Sequence, residues 1–154
     1  MNDNEIIGLS VVSGIARKLE KEFPGIAVYR ETVTAAKFPH FFVHQLTLES
    51  QKELGNYWFL RYFVNIRYHE VNEPSKFPNI QEKLDNMALS MTASLDYIDW
   101  FDRVLRLTQA QPTKKVDGVL HGFYNIVTRA TKPKPEVAKM LQLKLIEEIK
   151  IGGK

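Results

Sequence analysis

Cysteine is absent from this chain, which excludes a disulfide framework, thiol catalysis and thiolate metal sites. Long apolar runs are absent too, and none approaches the roughly 20 residues that a membrane-spanning helix needs. The opening residues, MNDNEIIG, are acidic and polar and lack the basic start of a secretory signal. A cytoplasmic or virion protein is therefore expected. No GxSxG surrounds a serine, and neither a phosphate loop nor a dinucleotide fingerprint occurs. Charge of one sign is only slightly in excess. A net +3 permits an acidic partner but does not demand one.

Histidine is sparse, with four copies at His40, His44, His69 and His121. A metal site would need several of them to converge with carboxylates. His40 and His44 are four apart on an expected strand, not on a helix, and HEVNE at His69 is not HExxH. Neither a metal nor a cofactor is expected. Asp117 and His121 suggest acid–base chemistry less readily than a turn aspartate beside a strand histidine. No catalytic residue is assigned.

What is present is a chain of 154 residues with an ordinary globular balance, 44% hydrophobic and 25% charged. That is enough for one domain with a real core. The domain is expected over residues 5–149, with 150–154, including Gly152-Gly153, as a flexible tail. The stretch Trp58 to His69 (WFLRYFVNIRYH) alternates most clearly. Trp58, Leu60, Tyr62, Val64, Ile66 and Tyr68 share one parity. Phe59, Arg61, Phe63, Asn65, Arg67 and His69 share the other. Period-two alternation in aromatic and β-branched residues predicts a strand whose even face meets helices. The mixed odd face is of the kind another protein covers.

Before it, Asn2 or Asp3 is placed to cap a helix, with Glu5 near its third position. Ile7, Val11, Ile15, Leu19 and Phe23 make its apolar face, and Pro24-Gly25 ends it. Ile26 to Thr34 and Phe41 to Leu48 read as strands. Ala35 to Pro39 reads as a loop, and Gln51 to Asn56 as a turn. After the central strand, Glu70 to Pro78 is a polar loop. Asn79 and Glu82 then resemble a capping box, and Ile80, Leu84, Met87, Ala88, Met91, Leu95 and Ile98 follow at spacings of three and four. This predicts the main helix across the sheet, with its methionines as core filler.

Arg103 to Lys115 and Val119 to Ala130 bracket Asp117-Gly118, a hairpin signal because both turn positions tolerate positive φ. Lys132-Pro133-Lys134-Pro135 breaks the sheet, and the segment after it fits a helix or a strand. The expected class is α+β: a mainly antiparallel sheet of about four to five strands, flanked by an N-terminal helix and a long central helix.

Basic residues concentrate on the hairpin and its exit. Arg103, Arg106, Lys114, Lys115, Arg129, Lys132 and Lys134 stand against a single acid, Asp117. A solvated hairpin, an acidic protein partner and a nucleic-acid backbone all fit, though no named nucleic-acid motif is present. With the strand arginines, the candidate partner interface is Arg61, Arg67, Arg103, Arg106, Lys114, Lys115 and Arg129. Rival readings are a nucleic-acid-binding accessory protein using the hairpin, and a small enzyme built on Glu31, His44 or His121.

The order of short motifs carries a family resemblance. Phe23-Pro24, then Tyr29 and Glu31, lead to Pro39 and Phe41-Phe42-Val43. Lys52-Glu53-Leu54-Gly55-Asn56, Arg61-Tyr62 and Ile66-Arg67-Tyr68 follow, then Val116-Asp117-Gly118-Val119-Leu120-His121 and Met140. Over roughly residues 5–141 the chain resembles the tail-terminator (tail-completion) proteins of long-tailed phages and phage-tail-like bacteriocins of Gram-positive bacteria. His40 stands where that pattern has a small residue, and the segment after His121 is less typical.

The resemblance implies an antiparallel sheet flanked by helices and a structural role without catalysis. It implies a ring, usually six-fold, that caps the head-proximal end of the tail tube. Its partners would be copies of itself, the tube protein, the sheath in contractile tails and the head–neck connector. DNA would pass only as cargo, and no membrane would be involved. The location would be a virion or phage-tail-like particle assembled in the host cytoplasm.

Overall fold

The computed structural model describes residues 3–30, 33–55, 57–100 and 103–131, with side chains described from residue 11 to residue 129 of these. Among them the order is α1 (Asp3–Glu22), β1 (Ala27–Tyr29), β2 (His40–Lys52), β3 (Tyr57–His69), a short 3-10 turn (Pro74–Lys76), α2 (Ile80–Ser94), β4 (Tyr97–Trp100), β5 (Arg103–Val116) and β6 (Val119–Thr131). The strands form one six-stranded sheet in the order β1-β2-β3-β6-β5-β4.

The alternation in β3 sets the layers. Leu60, Tyr62, Val64, Ile66 and Tyr68 are all buried. Directly paired residues of antiparallel strands share a face, so the register extends this layer. Leu60, Tyr62, Val64, Ile66 and Tyr68 lie opposite Thr128, Ile126, Tyr124, Gly122 and Leu120 of β6. Phe41 and Val43 of β2 lie opposite Tyr68 and Ile66.

Against this layer α1 lays Val11, Ile15 and Leu19, each fully buried. Their spacing of four puts them on one helical stripe. Cutting such a leucine to alanine costs about 2–5 kcal/mol. α1 touches β1 and β2 at one end of the sheet and β4 at the other, so the sheet curls around it. The approach to β4 is close: a Cβ on Gly14 would lie 2.9 Å from the Asp99 carbonyl oxygen. α2 closes the remaining core over β6 through Ile80, Leu84 and Met91.

The expectation of a mainly antiparallel sheet of about four to five strands is corrected to a mixed sheet of six among the described residues. β1 is parallel to β2, Ala27 to Tyr29 against His40 to Phe42. It has three residues where Ile26 to Thr34 was expected, too short for alternation to register. The sixth strand, β4, hid inside a helical pattern. Leu95 and Ile98 continue the spacing of α2, yet the helix ends at Ser94 and Ile98 is buried from β4.

The capping box at Asn79 does not form, since its side chain makes no cap hydrogen bond. The α1 cap and the segment beyond Thr131, with Lys132 and Lys134, lie outside the described side chains. β2 also runs on to Lys52, through residues expected to turn.

Candidate partner interface

On the face away from the helices, the register sets side chains in rows across β2, β3 and β6. The rows are His40, His69, Val119; Phe42, Arg67, His121; His44, Asn65, Phe123; Thr47, Phe63, Asn125; Glu49, Arg61, Val127; and Gln51, Phe59, Arg129. β5 extends four of them, placing Val116 beside Val119, Lys114 beside His121, Gln111 beside Phe123 and Thr108 beside Asn125. A broad strip of aromatic, amide and basic groups results.

At one end the Arg67 guanidinium sits 4.4 Å from the Phe42 ring centroid, a cation–π contact. The His40 and His69 rings stack at 4.6 Å, and the Tyr29 ring meets His40 edge-on at 5.3 Å. His40 Nδ1 lies 2.9 Å from the Lys37 carbonyl oxygen. A carbonyl only accepts, so Nδ1 donates and carries the ring proton.

Burial, helped by His40, Arg67 and His121, pushes the His69 imidazole down to about 4. Burial is also the main cause of the lowered values of His40 and His121, with Arg67 adding to each. The Lys37 carbonyl acts in the opposite sense on His40. A guanidinium ringed by neutral imidazoles is the arrangement these forces favour.

The seven basic residues of the expected interface divide. Arg61, Arg67, Lys114 and Arg129 stand on the open face by register. Arg106, opposite Tyr97, shares parity with Thr108 on the same face. Lys115 points the other way and pairs with Asp85 of α2 at 2.6 Å. Arg103 lies opposite Trp100, with its guanidinium 5.5 Å from that ring, and donates to the Arg129 carbonyl at 2.9 Å. Arg129 also meets Glu53 at 3.2 Å, and Arg61 meets Glu49 at 3.6 Å. Acids from α2 and from the turn after β2 therefore answer part of the hairpin's charge.

Arg67, Arg106 and Lys114 have no acidic partner among the described residues. His40, Phe42 and Phe123 were not singled out as interface residues. The odd parity of β6, which repeats the aromatic and basic pattern of β3, is the signal that finds Phe123.

The described residues line hollows at two places near the sheet. One is lined by Gln51 to Leu54 at the β2–β3 turn, the other by Gly14, Arg17, Lys18, Lys21, Tyr97 and Asp99 between α1 and β4. Neither includes His44 or His121, and Glu31 lies outside the described residues. No helix among the described residues is long and apolar enough to cross a membrane.

The register thus lays a broad strip of aromatic and basic side chains across the sheet face away from the helices. The sequence matches the family described as phage tail terminator protein over residues 10–138. The chain belongs to the phage tail terminator family, a structural family of the virion that acts in tail completion and meets other tail components. No curated protein matches the chain. One solved structure, whose name states no function, matches over 86% of this chain and 97% of its own at 8% sequence identity, with a TM-score of 0.39.

Proposed function

We propose that six copies of this chain, each working as one domain over roughly residues 5–149, close into a ring on the head-proximal end of the tail tube. The ring stops tube polymerisation and presents a new surface to the head–neck connector. In a contractile tail it also ends the sheath, and in a virion with a capsid DNA passes through its lumen. Family membership over residues 10–138 carries this reading.

The open face supports it. A ring needs heterologous contacts, in which two different patches of one subunit meet. A strip of Phe42, Phe63 and Phe123 set among Arg67, Arg106 and Lys114 suits burial against a partner with acidic groups. The chain needs no catalytic group for this work. The nucleic-acid reading is weakened by Lys115 and Arg129, whose charges are answered by Asp85 and Glu53.

The test is a deletion strain imaged by electron microscopy. Tubes of uncontrolled length, or tails that fail to join heads, are expected without the protein, and the restored gene should correct both. Tails of normal length and normal attachment in its absence would overturn the proposal.

A further inference from the structure

The sheet has two open edges, and they match. β1 pairs with β2 only at His40 to Phe42. From Val43 to Lys52, β2 has no strand on that side among the described residues. At the opposite edge, β4 pairs with β5 only from Arg103 to Arg106. The Leu107 amide is then taken by the Asp96 carbonyl at 2.8 Å. From Thr108 to Val116, β5 is likewise without a strand on its outer side among the described residues. Each edge presents a row of N–H and C=O groups that another strand would satisfy.

Direction and spacing agree as well. β2, β3, β6 and β5 alternate in direction, so β2 and β5 run opposite ways. A neighbouring copy set beside β2 with the same face outward would bring its β5 there antiparallel. The neighbour's Asp117-Gly118 turn would then lie next to β1, and its β4 would lie past the Lys52 end of β2. Neither short strand obstructs the pairing, and the two open stretches are nearly equal in length.

Composition agrees in part. The β2 stretch exposes Leu46 and Leu48, at 48% and 45%. Pro112 offers no N–H, and register shifts flank Gln111. The ladder therefore divides into two runs on either side of Pro112.

We propose that the β2 edge of one copy accepts the β5 edge of the next copy, antiparallel, so that the sheet continues from subunit to subunit. This rests on the ring reading and states which edges close the ring. The contact is heterologous, so it repeats in one rotational sense, as a ring requires.

The absence of native cysteine makes crosslinking unambiguous. Leu48→Cys, on the helix-side face, is combined with Gln109→Cys of that face, and Glu49→Cys, on the open face, with Gln111→Cys and with Lys114→Cys, all at exposed positions. The three positions sample the register, because a disulfide needs Cα atoms about 4.4–6.8 Å apart. Each variant replaces the native chain in cells that assemble tails, and finished tails are oxidised and run on a non-reducing gel.

At least one pair should give a ladder of covalent multimers, with the single-cysteine variants remaining monomeric. Dimers from Leu48→Cys or Glu49→Cys alone would mean that β2 meets β2, and would overturn the proposal. Correctly ended tails that yield only monomer with all three pairs would also overturn it, while leaving the terminator reading intact. Native tails whose ends lack the protein would remove both. If the variants block assembly, imaging of native tail ends decides: the neighbour's β5 about 4.8 Å from β2 supports the pairing, and any other element there overturns it.

Discussion

Asp117 and Gly118 both take positive φ, 51° and 74°. This is the geometry of a two-residue hairpin turn whose twist suits the strands it joins. The Asp-Gly pair announced that turn in the sequence. The sequence did not announce that the missing Cβ of Gly118 also makes room for Pro74 of the 3-10 turn. Gly118→Val is expected to lose about 1–3 kcal/mol through backbone strain alone, with the Pro74 clash adding to the loss. Thermal unfolding measures it, and an unchanged melting temperature would contradict this account of the turn.

The histidines show where residue-level reading stops. His40, His69 and His121 stand far apart in sequence, and only the register of β2, β3 and β6 gathers them around Arg67. Because folding lowers the His69 value from 6.5 to about 4, the unfolded chain binds more protons between those limits. Stability from this group is present above about pH 6.5 and is lost as pH falls toward 4. His40 and His121 act in the same direction. Denaturant unfolding at about pH 7 and about pH 5 should show a smaller acid loss in His69→Gln than in the native chain. Equal losses would mean that His69 does not govern the acid response.

Among the elements, β3 and the β5–β6 hairpin were legible because alternation and turn chemistry are local signals. α1 was legible for the same reason, through its stripe at spacings of four. β4 was not, because four residues following a helix inherit its apparent periodicity. Strand alternation also splits the paired lysines, a separation that charge counting conceals. Lys114 stands beside His121 on the open face, and Lys115 reaches Asp85.

The two lysines should therefore respond differently. An exposed pair such as Lys115–Asp85 contributes about 0.2–1 kcal/mol, so Lys115→Ala should change stability slightly and assembly little. Lys114→Glu should leave stability nearly unchanged but slow tail assembly, more so at low salt. Counts of finished tails in a complemented deletion strain check this. Normal numbers with Lys114→Glu at every salt concentration would show that Lys114 is only solvated.

At the scale of the whole molecule, one side of the sheet is spent on α1 and α2, and the other carries no helix among the described residues. The candidate interface was legible in part. Arg61 and Arg67 came from the odd parity of β3, and Lys114 and Arg106 from the basic hairpin. Phe123 was within reach of the odd parity of β6, whereas Phe42 joined the strip only when strands distant in sequence were laid side by side. The partners of Arg129 and Lys115 were hidden for the same reason, since Glu53 and Asp85 belong to other elements.

The central claim is one of place: this protein ends the tail tube. Electron cryomicroscopy of finished tails, with the fold fitted to the density, tests it most directly. A single ring of six copies at the head-proximal end, seated on the last ring of tube subunits, is the predicted result. Finding the protein in the baseplate, along the shaft or absent from the particle would contradict it.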